Sequence, residues 1–130
     1  MNTTAIDPGW SWAAGALVST AADWSRFALA LQSGELIPSD LLEQMRTTVG
    51  FDRYGLGLEK RKTLCGVVWG HPGSLPGYTT QTYTDSAGTR TLSILVSTTF
   101  GIDERESAAA YDDLLHGAVC AMFDEPLPNG

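Results

Sequence analysis

The residues best suited to chemistry sit together in the second half of the chain. The stretch Gly70-His71-Pro72-Gly73-Ser74-Leu75-Pro76-Gly77 closes a short apolar run, Cys65 to His71, with an imidazole and a hydroxyl among glycines and prolines. An imidazole at a strand end can bias the local field toward an anionic transition state, or relay a proton. Gly73 leaves the strand end without a side chain, so that another backbone can lie close against it. Each of these residues also has a plain reading: a histidine bonded to a neighbour, a turn glycine, a loop serine. Asp7, Asp23 and Asp52 are acids at no catalytic spacing. Cys65 and Cys120 form no CxxC and lie near no histidine at zinc spacing, so neither a metal nor a cofactor is expected. Whether the two thiols pair is open at this level.

Elements must position these residues. Thr20 with Asp23 three places on resembles a capping box. Trp24, Phe27, Ala28 and Leu31 then follow at i, i+3, i+4 and i+7, which makes one apolar face with Trp24 and Phe27 in the core. Gly34 stops this helix, and Ser39 is expected to cap a second, short one through Leu41, Leu42 and Met45. Tyr54-Gly-Leu-Gly-Leu58 alternates large residues with glycine and reads as a strand where another backbone comes close. Thr79 to Thr84 and Arg90 to Thr98 are β-branched runs separated by Asp85-Ser-Ala-Gly88, the turn chemistry of a hairpin. A final helix from about Glu104 to Phe123 carries Tyr111, Leu114, Leu115, Ala118, Val119 and Met122 as its apolar stripe, with His116 outside it. The expected fold is α+β, with N-terminal helices and an antiparallel sheet of three or four strands covered by the C-terminal helix. Residues 1–123 form the domain and 124–130 a tail.

Composition narrows the function. The 130 residues are 43% hydrophobic and 18% charged, as in a globular domain. A net charge of −7, from 15 acidic and 8 basic residues, argues against nucleic acid, whose phosphates need a basic face. No apolar run approaches the roughly 20 residues of a membrane span. Asn2, Thr3, Thr4 and Asp7 after Met1 supply neither the basic start nor the apolar core of a signal peptide.

Three stretches in order, Trp12-Ala-Ala-Gly-Ala-Leu-Val-Ser-Thr20 with the helix it opens, Tyr54-Gly-Leu-Gly-Leu58 and Gly70-His-Pro-Gly-Ser-Leu-Pro-Gly-Tyr78, resemble the C-terminal part of the penicillin-recognising serine β-lactamase/D-Ala-D-Ala carboxypeptidase family, on the class C side. That family's site combines a Ser-x-x-Lys nucleophile, a Tyr-x-Asn or Ser-x-Asn motif, and a Lys-Thr-Gly or His-x-Gly strand. Only the third is here, as His71-Pro72-Gly73; the other two would lie upstream. The resemblance implies that this is a segment of a serine hydrolase of carboxypeptidase, β-lactamase or esterase type, inactive alone. His71, Gly73 and Ser74 would be its catalytic contribution, with the Ser74 N–H as one oxyanion donor. Trp10, Pro72 and Glu59 would stand at the substrate.

The resemblance further implies a Cys65–Cys120 bridge from the sheet to the last helix, and hence a secreted or cell-envelope location. Departures count too. Pro72 replaces a threonine and Glu59 an arginine that would bind a substrate carboxylate, although Lys60 and Arg61 are close by. These changes fit an esterase or amidase better than a D-alanyl-D-alanine enzyme. The partner would be the missing N-terminal half or a second copy of this chain. A non-catalytic binding or oligomerising module is the alternative.

Overall fold

A 3-10 helix, Pro8–Ala14, opens the computed structural model, which describes residues 7–50, 53–75, 77–97 and 104–127, with Pro8 and residues 104–108 described by their backbone. The Asp7 carboxylate accepts the Gly9 N–H at 2.9 Å and starts this turn. Trp12 holds φ 39°, a left-handed conformation unfavourable for a bulky residue, and the residue is 84% exposed.

Helix α1 spans Ala21–Gln32. Thr20 caps it: its hydroxyl accepts the Asp23 N–H at 3.1 Å and donates to the Asp23 carboxylate at 3.0 Å. The apolar face expected for α1 is rotated by about one residue. Gln32 is buried, Ser25, Ala28 and Leu29 are half-buried, and Phe27 is exposed, stacked on Trp24. The helix meets the sheet through the Ser25 hydroxyl, 2.8 Å from that of Ser93, so the contact stripe includes polar residues that periodicity alone overlooks. Helix α2, Ser39–Arg46, begins one residue earlier than expected: Pro38 holds the cap position and makes no side-chain capping bond.

Four antiparallel strands follow: β1 Glu59–Thr63, β2 Gly66–Leu75, β3 Tyr78–Asp85 and β4 Thr91–Val96, in spatial order β1-β2-β3-β4. Strand β1, Glu-Lys-Arg-Lys-Thr, lacks the apolar alternation that marks a strand, and charge is usual at a sheet edge. Conversely, Tyr54–Leu58 is a turn, with one bridge on either side of Tyr54 and the Gly55 N–H donating to the Leu58 carbonyl at 2.8 Å. The close backbone approach expected there is real. A Cβ on Gly55 would stand 2.0 Å from the Met45 carbonyl oxygen at the end of α2. Strand β2 runs on through the glycine and proline residues to Leu75, past the strand end expected at His71.

The β3–β4 hairpin is closed by Asp85, whose carboxylate accepts the N–H groups of Thr89 and Arg90 at 2.7 and 2.9 Å and the Thr89 hydroxyl at 2.8 Å. Helix α3, Glu104–Met122, packs Leu115 and Val119 against Val68 and Tyr83 to form the core, flanked by Leu92, Ile94, Met122 and Phe123. Arg90 donates to the Met122 carbonyl at 2.6 Å at the end of α3. Thr82, opposite His71 in the ladder, bonds Ser93 on the α1 side. The sheet is thus sandwiched: α3 covers one face, and α1 covers the β3–β4 half of the other. Cys65 and Cys120 are joined in a disulfide, Cα–Cα 5.1 Å, tying the β1–β2 turn to α3. No helix among the described residues is long and apolar enough to cross a membrane.

Two stability measurements test this account. The bridge closes a loop of 55 residues, for which loop entropy gives up to about 4 kcal/mol. Reduction, or the double change Cys65→Ser/Cys120→Ser, should lower the urea unfolding free energy toward that extent. An unchanged midpoint would show that the bridge does not constrain the unfolded chain. The Asp85 carboxyl is held below the ordinary carboxylate range: burial pushes it up, but the bonds from Arg90 and Thr89 outweigh burial. A depressed folded-state value stabilises the fold above the unfolded pKa of about 3.9, and that stability is lost as pH falls through the lower folded value. Asp85→Asn should therefore cost stability at pH 7, and the cost should shrink in urea titrations carried below about pH 4.

Candidate functional site

Strand β2 is paired unequally on its two edges. Its ladder with β3 runs from Val68 to Leu75, whereas β1 pairs with it only as far as Gly70, opposite Glu59. In an antiparallel strand the N–H and C=O of one residue point to the same side, and successive residues alternate. The Trp69 carbonyl accepts the Thr84 hydroxyl of β3 at 3.2 Å, so Trp69, His71 and Gly73 turn their backbone toward β3. Pro72 and Ser74 turn theirs the other way, past the end of β1. Proline therefore sacrifices no ladder bond at position 72. Its carbonyl is left for a side chain, and the Ser74 N–H projects from an edge that β1 does not cover.

Side chains alternate as well. Trp69, His71 and Gly73 share the α1 face, with His71 and Ser74 exposed to solvent. His71 Nδ1 lies against the Pro72 carbonyl oxygen, and Nε2 is 2.9 Å from the Tyr54 hydroxyl. The two rings meet edge-on, with centroids 5.7 Å apart. A Cβ on Gly73 would stand 2.6 Å from the Thr80 hydroxyl directly opposite, so the strand surface beside His71 is kept flat by the lack of a side chain. Trp69 is buried, with the Lys60 ammonium 5.6 Å and the Arg46 guanidinium 5.9 Å from its ring centroid. Arg46 is anchored to α1 through the Gln32 side chain and carbonyl.

The fold thus brings His71, Pro72, Gly73 and Ser74 to one edge. It does not bring Glu59 there. Register places Glu59 opposite Gly70, on the α3 face, where it accepts the Tyr83 hydroxyl at 2.9 Å and pairs with Arg53 and Arg61, each at 3.1 Å. Burial, then the Glu59 carboxylate, push the Tyr83 hydroxyl well above the ordinary tyrosine range, so it stays a donor. One residue of alternation puts Lys60 on the His71 face instead. Trp10 is 65% exposed on the 3-10 helix, and no hydrogen bond or ring contact among the described residues draws it to this edge. Sequence reasoning assigned Tyr54 no role. The signal was its place at the head of the Tyr-Gly-Leu-Gly-Leu stretch, which the Gly55–Met45 contact folds back toward β2. Among the described residues no three His, Cys, Asp or Glu side chains gather as a metal site requires.

Residues 1–117 match the family model for beta-lactamase. Among solved structures, a D-stereospecific amidohydrolase from Streptomyces sp. is similar at 33% identity and a TM-score of 0.67, over 79% of this chain and 32% of its own. SurE in complex with D-Leu is similar at 22% identity and a TM-score of 0.57, over 88% and 30% of the two chains, a likeness of fold. The chain spans about a third of the length of these structures.

Proposed function

Because this chain belongs to the beta-lactamase family, we propose that the uncovered edge of β2 is one wall of an acyl-transfer site whose nucleophilic serine lies on polypeptide outside these 130 residues. The observation that carries this reading is the outward direction of the Ser74 N–H beyond the end of β1. When a serine attacks an amide or ester carbonyl, negative charge collects on the carbonyl oxygen. A fixed N–H aimed at that oxygen lowers the barrier by about 3 kcal/mol. Ser74 would give one such donor and the nucleophile's own N–H the second. His71, exposed beside it, adds the dipole of its ring to the same space, and Gly73 leaves room for the substrate backbone.

The substrate class we assign is an amide or ester with a D-configured residue, after the amidohydrolase that is similar at 33% identity. A free C-terminal carboxylate gains nothing from Pro72, which has neither hydroxyl nor N–H, although the turn of Glu59 to the other face removes the repulsion expected from it. The disulfide supports an oxidising, secreted or cell-envelope setting. The second wall comes from the missing N-terminal part of the domain. Leu17 and Val18, 80% and 87% exposed, favour some covering partner, and a second copy of the chain is the other reading. Light scattering separates the two, since a strict monomer in solution removes the self-association reading.

Reconstitution tests the proposal. The chain is joined by co-expression to an N-terminal portion, bearing Ser-x-x-Lys, of a beta-lactamase-family hydrolase, and release of p-nitrophenol or ammonia from D-amino-acid esters and amides is followed. Hydrolysis is expected only with both parts present. In that complex Ser74→Pro, which deletes the N–H, should lower kcat about 10²–10³-fold, while Ser74→Ala should stay within a few-fold of the parent. Equal rates for the two variants would remove Ser74 from the oxyanion site.

A further inference from the structure

Both nitrogens of His71 have partners, and the partners differ in kind. A carbonyl oxygen can only accept, so the Pro72 carbonyl requires the proton on Nδ1. In the neutral ring Nε2 then carries the lone pair, and the Tyr54 hydroxyl at 2.9 Å is its donor. The edge-on contact of the rings fixes the imidazole plane as well. Turning the ring over would set a carbon against each oxygen and lose both bonds. The Tyr54 side is itself braced. Its backbone bridges to Val49 and to Glu59, and the next two residues lie on the Met45 carbonyl, where Leu56 N–H donates at 3.0 Å and no Cβ fits at Gly55.

We infer that Tyr54 is the positioning residue of the His71 imidazole, holding it with the Pro72 carbonyl as the Nδ1–H tautomer. Its effect on catalysis rests on the acyl-transfer reading above; its effect on the ring does not. With Nε2 occupied by Tyr54, the imidazole presents a fixed dipole to the edge beside Ser74 rather than a free base. What permits this is the early end of β1: the Pro72 carbonyl points past it, has no β1 partner and is free for the imidazole.

The test is nitrogen-15 NMR of histidine-labelled chain at about pH 8, where an unperturbed imidazole is neutral. His71 should show a single tautomer, protonated at Nδ1, with Nε2 shifted as a hydrogen-bonded acceptor. Tyr54→Phe deletes only the hydroxyl and keeps the ring. It should move Nε2 toward the position of an unbonded acceptor nitrogen and loosen the ring. The chain has two histidines, so unchanged His116 signals on α3 report that the variant is folded. Leu56→Ala, in the same turn but exposed, should leave the His71 signals in place. In the reconstituted complex Tyr54→Phe should lower kcat roughly 10- to 100-fold at unchanged KM, the penalty of a misplaced group. An Nε2–H tautomer in the parent chain, or superimposable His71 spectra for parent and Tyr54→Phe, overturns the inference. Either result leaves the hydrolase reading standing. An inactive complex with the expected spectra overturns the hydrolase reading and keeps the positioning one.

Discussion

Strand β2 outruns its neighbour on one side. Hydrogen bonding to β3 holds it straight as far as Leu75, while β1 leaves it after Gly70. Everything attributed to the site follows from that mismatch. Beyond Gly70 the backbone is held by one ladder and, among the described residues, paired with no strand along its other edge, so a carbonyl at Pro72 and an N–H at Ser74 stand fixed in direction and unused by the sheet. A loop could expose such groups, but could not aim them. The turn from Tyr54 to Leu58 is what makes β1 begin at Glu59, and that turn depends on Gly55 leaving room for the Met45 carbonyl where a side chain would collide.

The two faces of the sheet are covered unequally. On the α3 face, Val68, Tyr83, Leu115 and Val119 exclude water, and the disulfide ties α3 to the β1–β2 turn. Glu59, Arg61 and Arg53 form a charged cluster on that same face, with the Tyr83 hydroxyl as a further donor to Glu59. Such a cluster needs all its partners to be tolerable beside a core. On the other face α1 covers β3 and β4 and stops short of the far end of β2, so His71 remains exposed. Trp69, buried under Arg46 and Lys60, is the floor between the covered and the open parts.

Much of the architecture was legible in residue order. The cap at Thr20, the hairpin chemistry around Asp85 and most of the α3 stripe are local devices that are realised; of the stripe only Leu114 is exposed. What escaped was written in no local pattern. Strand β1 is too charged to announce itself, and only its pairing with β2 makes it a strand. Tyr54–Leu58 alternates as a strand does, yet the end of α2 bends it into a turn. Phe27 fell on the expected apolar face of α1, but the helix is rotated to bring Ser25 onto Ser93, and Phe27 is left outside.

The amino-acid order alone settled which residues gather at the end of β2, because His71, Pro72, Gly73 and Ser74 are consecutive and travel together in any fold. It also carried the motif resemblance that the family match supports. Tertiary structure decided which way those residues face and what meets them. Whether Glu59 or Lys60 approaches His71 depends on the parity of one strand register, and a shift of one residue exchanges the two faces. That Tyr54 reaches His71 across 17 positions depends on a backbone contact between its own turn and the end of α2. Register and long-range contact are properties of pairs of segments, and a single segment does not encode them.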